Sequence, residues 1–261
     1  MTDWTPQGLF RRLLATQMRC TKAIDSLLPE RWTKDGNEDF LRDIVVRQVG
    51  HGSRICDVGA GRSPCLSAQR KQELGATICG LDVDPAELAA AAPGIYDEVV
   101  CADISGYPGR EDFDVVVCQS LLEHVRDTGA ALAGIASLIK PGGSALLFVP
   151  SRRAVFARLN RLLPQALKRR ILHGVFPESQ GRQGFPAYYD RCTPREFSKM
   201  VRAVGLQVEA SRYYYSSGYF RFLVPLHVLW RIWSLSAAAL WKEQAAETFV
   251  LVLRKPAPER A

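Results

Sequence analysis

The chain has no apolar run that resembles a signal peptide. It also lacks any uncharged stretch near the ~18 residues a membrane-spanning helix requires. Low-complexity tracts and internal repeats are absent, which excludes solenoid and compositionally disordered classes. The seven cysteines are odd in number, contain no C-x-x-C pair and share no zinc-ligand spacing with the four histidines, so neither a disulfide framework nor a metal site is indicated. Cys56, Cys65, Cys79, Cys101 and Cys118 lie in or beside apolar runs and read as small buried hydrophobes of a reducing, cytoplasmic compartment. Acidic residues are missing from Ser151 to His173, where Arg152, Arg153, Arg158, Arg161, Lys168, Arg169 and Arg170 stand. That one segment carries charge equal to the +7 of all 261 residues, so the basicity acts locally.

What is present is an alternation of short β-rich runs with helical patterns, the signature of a parallel sheet covered on both faces in an α/β domain. The runs start at Ser53, Ala76, Asp97, Phe113, Ser144, Leu206 and Thr248. Helices are predicted over Asn37–Val49, from Pro64 in a first turn to Leu74 before Gly75, and over Thr128–Ile139. Another follows Thr193, whose partner Glu196 three residues on forms a capping box. The 261 residues read as one domain. Two stretches, 151–192 and 212–246, break the rhythm and are expected to be helical insertions on the substrate side, at the edge where open α/β sheets bind ligands. Residues 1–35 are expected to form a helical cap at that edge.

The first strand runs into Asp57-Val-Gly59-Ala60-Gly61-Arg-Ser63-Pro64. Glycine suits a strand that turns sharply into a helix, because a side chain would strike the turn or the ligand. Dinucleotide enzymes use such loops too, but their fingerprint wants a small third residue where Pro64 stands. Moreover, an acid two residues before the first glycine is awkward beside a pyrophosphate and suits a cationic amino acid. The second strand ends in Gly80-Leu-Asp82-Val83-Asp84-Pro85, where a carboxylate can accept from both hydroxyls of a ribose. Asp82 could equally be only a helix N-cap. The third strand ends in Cys101-Ala-Asp103-Ile104, an acid placed to accept from an adenine amine.

The fourth strand and its sequel read Phe113-Asp-Val-Val-Val-Cys-Gln119-Ser-Leu-Leu-Glu-His124-Val, and Leu-Ile-Lys140-Pro-Gly-Gly precedes the fifth. In this order the motifs resemble the class I methyltransferases that use S-adenosylmethionine, nearest the branch that includes the ubiquinone-biosynthesis enzymes. The resemblance covers about residues 40–150, the stretch from Thr193 to Gly205 and the final strand. It implies a Rossmann-like, seven-stranded, mostly parallel sheet with helices on both faces. It also implies that Gly59, Ala60 and Gly61 let the backbone approach the methionine part of the cofactor, with Asp57 orienting its amino group. Asp82 and Val83 would hold the ribose, Asp103 and Ile104 would frame the adenine, and Gln119 would close the methionine side. Ser63 stands where the family usually has a third glycine.

A hydroxyl acceptor benefits from a base, worth on the order of 10²–10⁴ in rate. Candidates are His124 after the fourth strand and Tyr188, Tyr189 and Asp190 before the capping-box helix; His173 is weaker. Each has a plainer reading, as a hydrogen bond within a helix or an ordered aromatic loop.

Residues 152–172 place apolar side chains at helical spacing opposite basic ones, divided by Pro164. Residues 219–241 are apolar but interrupted by Arg221 and Arg231, and they carry Trp230, Trp233 and Trp241. Both segments fit peripheral contact with an anionic membrane surface, and both fit a lid packed on the core. No nucleic-acid module is visible. The expected reaction is methyl transfer to an oxygen of a lipid-linked sugar or quinone-like acceptor. A soluble natural-product acceptor is the alternative, and a non-catalytic cofactor-binding protein is the reading from another class.

Overall fold

The computed structural model describes residues 6–162 and 185–258. Contacts divide them into two compact units. One comprises 36–152, 185–213 and the chain from 248; the other comprises the chain up to residue 35, the stretch beginning at Arg153, and 214–247.

The first unit is built on a sheet of seven strands: β1 (Arg54–Val58), β2 (Thr77–Asp82), β3 (Glu98–Cys101), β4 (Phe113–Gln119), β5 (Ile139–Pro150), β6 (Gln207–Tyr214) and β7 (Thr248–Arg254). Their order is β3-β2-β1-β4-β5-β7-β6. β3, β2, β1, β4 and β5 pair in parallel, and β7 returns antiparallel to β5. This is the Rossmann-like, mostly parallel sheet expected from the sequence, with helices flanking it. Ile55, Cys56 and Val58 of β1 and residues 115–118 of β4 are buried, as strands covered on both faces must be. β3 is an edge strand of alternating burial, and Cys101 at its end is exposed, contrary to the expectation of burial. An edge strand has one flank that nothing covers. Cys56, Cys65, Cys79 and Cys118 are buried free thiols.

The helices follow local signals with one shift. The run 36–48 is helical but contains a π-turn over Phe40–Ile44. The helix expected from Pro64 starts at Ala68, because Ser67 is its N-cap and the Asp57 carboxylate takes the Cys65 N–H at 2.7 Å, keeping the intervening residues out of the helix. It closes at Gly75, whose φ of 57° is left-handed. Asp127 caps Thr128–Leu138 by accepting from the Gly129 and Ala130 amides. At Pro194–Ala203 half of the expected capping box forms: Thr193 Oγ1 accepts from the Glu196 amide at 3.3 Å, while the Glu196 carboxylate accepts from the Thr193 hydroxyl at 2.7 Å and the Thr193 amide donates to the Arg191 carbonyl. Asp114 holds the start of β1, accepting from the Arg54 amide at 2.8 Å and pairing with Lys140.

The second unit contains helix Pro6–Asp25, helix Val155–Leu162 and helix Val224–Trp241. Its centre is the buried Asp25, which accepts from His227 Nε2 at 2.9 Å, Arg231 Nε at 2.7 Å and Arg221 Nη2 at 3.3 Å. Burial opposes the charge, but the His227 and Arg231 hydrogen bonds hold the Asp25 carboxyl well below its ordinary range. Arg231 also donates to the Trp32 and Tyr215 carbonyls. Arg221 and Arg231 therefore fold inward as ion partners and do not interrupt an external apolar face. Leu229, Ile232, Trp233, Leu240 and Trp241 remain exposed on the long helix, and Leu159 and Leu162 on the shorter one. Residues 163–172 of the basic run, with His173, lie outside the described residues. No helix among the described residues is long and apolar enough to cross a membrane.

Candidate active site

Across the sheet, β1 lies between β2 and β4, where the strand order reverses. Chains leave the two neighbours in opposite directions there, and a crevice opens beyond the carboxyl ends. A cleft of about 800 Å³ occupies this place, entirely within the sheet unit. Asp57, Gly59, Ala60, Gly61, Asp82, Val83, Asp103, Ile104, Gln119, His124 and Tyr188 all line it.

The loop after β1 is held by its backbone. Gly59 and Ala60 donate to the Leu81 carbonyl at 2.8 and 3.3 Å, and Gly61 donates to Asp82 Oδ2 at 3.0 Å. Gly59 has φ 74°, and a Cβ there would lie 2.9 Å from that of Leu121, so both conformation and space demand glycine. The other Asp82 oxygen accepts from the Asp84 amide at 2.9 Å. Asp103 accepts from the Ser105 amide at 2.8 Å. Burial lifts the Asp57 carboxyl to about 6 against the lowering effect of the Cys65 N–H. Three carboxylates thus converge on one end of the cleft, and only one oxygen or two of each is engaged by backbone amides. This set of acceptors fits a ligand with ammonium, ribose and adenine groups. Among the described residues no cluster of three or more His, Cys, Asp or Glu side chains could hold a metal ion.

The other end is aromatic. The π-turn in 36–48 brings Asn37 and Leu41 into the lining, and Gln119 donates to the Asn37 side chain. Ser120 turns the chain with φ 51°, a costly conformation for a non-glycine residue. His124 Nδ1 lies 2.9 Å from the Pro186 carbonyl. A carbonyl only accepts, so Nδ1 is the donor in this contact. The Tyr188 and Tyr189 amides both donate to the Glu123 carbonyl, at 2.8 and 3.0 Å, which sets Tyr188 against the cleft. Arg126 lies over the Tyr188 ring, 4.7 Å from its centroid.

Two predicted catalytic residues fall elsewhere. Tyr189 is buried and absent from the lining. Asp190 accepts from the Thr128 amide at 3.0 Å and pairs with Arg191, so it anchors the start of helix Thr128–Leu138. The sequence also concealed Glu123. Its side chain is buried, Oε2 has no hydrogen-bond partner among the described residues, Oε1 lies 3.7 Å from His124 Nε2, and burial raises the carboxyl to about 8. An acid between Leu122 and His124 in an apolar run was the available signal.

Comparison with known proteins agrees with this geometry. A family model described as a methyltransferase domain matches residues 18–211. A ubiquinone biosynthesis O-methyltransferase of Thiobacillus denitrificans is 29% identical over 203 residues, 70% of this chain and 81% of that protein. Among solved structures, a SAM-dependent methyltransferase from Methanosarcina mazei superposes with TM-score 0.51 at 16% identity, covering 83% of this chain and 98% of that one. The phosphoethanolamine N-methyltransferase 2 of Haemonchus contortus, solved with S-adenosyl-L-methionine, gives TM-score 0.52 at 16% identity, covering 95% of this chain and 60% of that one.

Proposed function

The chain belongs to the methyltransferase domain family and uses S-adenosylmethionine, and from that premise we propose that it methylates a ring hydroxyl of a quinone-like, lipid-carried acceptor. The observation that carries this reading is His124. Its Nδ1 is committed to the Pro186 carbonyl and the residue lines the cleft together with Phe185 and Tyr188, which leaves Nε2, near the buried Glu123, as the nitrogen proposed to act as base. The relatives' role in ubiquinone biosynthesis supports the same acceptor class.

When bound, S-adenosylmethionine supplies an electrophilic methyl group. The rest is alignment and proton removal by this chain's residues. Asp82 accepts from the ribose hydroxyls, with Val83 against the sugar. Asp103 and Ile104 hold the base. Gly59, Ala60 and Gly61 admit the methionine portion, Asp57 balances its ammonium group, and Gln119 closes that side. His124 Nε2 would take the acceptor's hydroxyl proton as the methyl carbon passes from sulfur to that oxygen, the S–CH3 bond breaking and the neutral thioether S-adenosylhomocysteine leaving. Tyr188 and Phe185 flank the ring.

The lipid-carried acceptor goes with a membrane surface. Exposed Trp233 and Trp241 suit the headgroup layer, and Arg158 and Arg161 stand beside exposed Leu159 and Leu162. Each basic residue near an anionic bilayer contributes about 1 kcal/mol. We assign the exposed residues of 152–162, the described part of 152–172, and those of 219–241 to this contact.

The test is transfer of label from radiolabelled S-adenosylmethionine into a cell extract, followed by phase separation, with Asp82→Ala as the inactive control. Label in the organic phase, and salt-sensitive flotation with anionic liposomes, is expected. Label confined to the aqueous phase would favour a soluble acceptor. Tight cofactor binding without any transfer would favour a non-catalytic role.

A further inference from the structure

We propose that Tyr96 is a positioning residue that holds the glycine loop in its cofactor-binding shape from behind. The inference rests on the reading that this loop receives S-adenosylmethionine. Tyr96 sits just before β3, outside the cleft lining, and none of the motifs includes it. Its hydroxyl lies 3.1 Å from the Ala60 carbonyl and 3.3 Å from the Gly61 carbonyl, a shared bond from one donor to two acceptors. Burial, then the charges of Asp57, Cys65 and Asp82, push the phenol well above its ordinary range, so it stays a donor.

The ring has little freedom. A Cβ at Gly80 would stand 2.9 Å from Tyr96 Cγ, so the ring fills the space that glycine leaves on β2. The next residue fixes the backbone. Asp97 exchanges hydrogen bonds with Ile78, its amide donating to the carbonyl at 2.8 Å and Oδ2 accepting from the amide at 2.7 Å; its other oxygen pairs with Lys71 at 2.8 Å. The glycine of the Gly80-Leu-Asp82 motif is thus explained by Tyr96.

On the cleft side, Gly61 depends on the Asp82 carboxylate. That oxygen must be shared once ribose hydroxyls also donate to it. The loop carbonyls then rely on Tyr96, which stands clear of the ligand and keeps its bond in both states. A peptide flip at 60–61 would turn the loop amides out of register, and the bridging hydroxyl opposes it.

Tyr96→Phe removes the hydroxyl and keeps the ring; Tyr96→Leu removes both. Affinity for S-adenosylhomocysteine is measured by calorimetry, and amide exchange at residues 59–62 is measured in the ligand-free protein. The Phe variant is expected to bind about fivefold more weakly, equivalent to about 1 kcal/mol at 1.4 kcal/mol per tenfold, with loop exchange faster by a similar factor. The Leu variant loses at least as much. A Phe variant within twofold of wild type in both measurements overturns the proposal, whether or not the Leu variant is impaired. Failure of the wild-type protein to bind the ligand would instead overturn the placement of the cofactor. The exchange measurement on free protein still decides whether the hydroxyl holds the loop.

Discussion

Glu123→Gln is expected to reverse part of the protein's pH dependence of stability. Burial raises this carboxyl from the ordinary 4.5 to about 8, and Oε2 has no hydrogen bond to offset the loss of water. The folded state therefore holds the proton more tightly than the unfolded chain does. Stability from this group is fully present below 4.5 and is lost as pH rises through 8. The whole loss is about 3–5 kcal/mol, at about 1.4 kcal/mol per pH unit. Glutamine has nearly the same shape and never ionises, and any fixed cost of its buried amide is the same at every pH. Urea titrations at pH 5 and pH 9 should show the variant gaining about 3–4 kcal/mol on wild type between the two. To separate this carboxyl from the neighbouring His124 ring, whose Nε2 is 3.7 Å from Oε1, the pair is repeated on a His124→Gln background. Parallel stabilities, with a change in difference below about 1 kcal/mol, would refute the assignment of a buried acid raised by desolvation.

Asp57 predicts the opposite pH trend for ligand binding. Its carboxyl titrates at about 6 in the free protein and faces a cationic ligand, so affinity for S-adenosylmethionine should climb as pH rises through 6. Calorimetry from pH 5 to 8 should show this, with Asp57→Asn weaker and flat; a flat wild-type profile would separate Asp57 from the ligand. In the helical unit, Arg231→Met removes the 2.7 Å bond to Asp25 and two bonds to carbonyls, leaving a buried acid short of one of its partners. The cost of breaking such a pair is about 3–5 kcal/mol, which should lower the thermal midpoint by roughly 10 °C; a shift under about 3 °C would contradict the role of the cluster.

The parts legible in the sequence were those written by local rules. Seven strands followed from apolar runs bounded by turn residues, and Thr193 with Glu196 announced a helix start because both halves of a capping box lie within four residues. What escaped depends on partners far away in sequence. Pro64 has the right chemistry for a first helical turn, but Asp57 captures the Cys65 amide and delays the helix to Ala68. Asp190 looks like a candidate base until the Thr128 amide, 62 residues distant, is found on its oxygen. Tyr96 lies outside every motif and Glu123 stands in one without a signal of its own; burial, and for Tyr96 the distant Ala60 and Gly61 carbonyls, give them their properties. His124 was legible as a residue but not as a tautomer, since the Pro186 carbonyl sits in another segment.

Asp82 shows why a capping role and a ligand role need not compete. The sequence allowed it to be nothing more than a helix N-cap. In the fold the cap of Pro85–Ala89 is Asp84, whose Oδ1 accepts from the Ala86 amide at 2.9 Å. Asp82 instead uses one oxygen for Gly61 and the other for Asp84. An ionised carboxylate offers about four acceptor positions, so these two bonds fix its orientation and leave positions toward the cleft. Asp57 and Asp103 are fixed the same way, by Cys65 and Ser105. A carboxylate already held by the backbone loses little side-chain entropy when a hydroxyl or ammonium arrives. The backbone bonds that could have been taken for the whole purpose of these acids would prepare them for the proposed ligand.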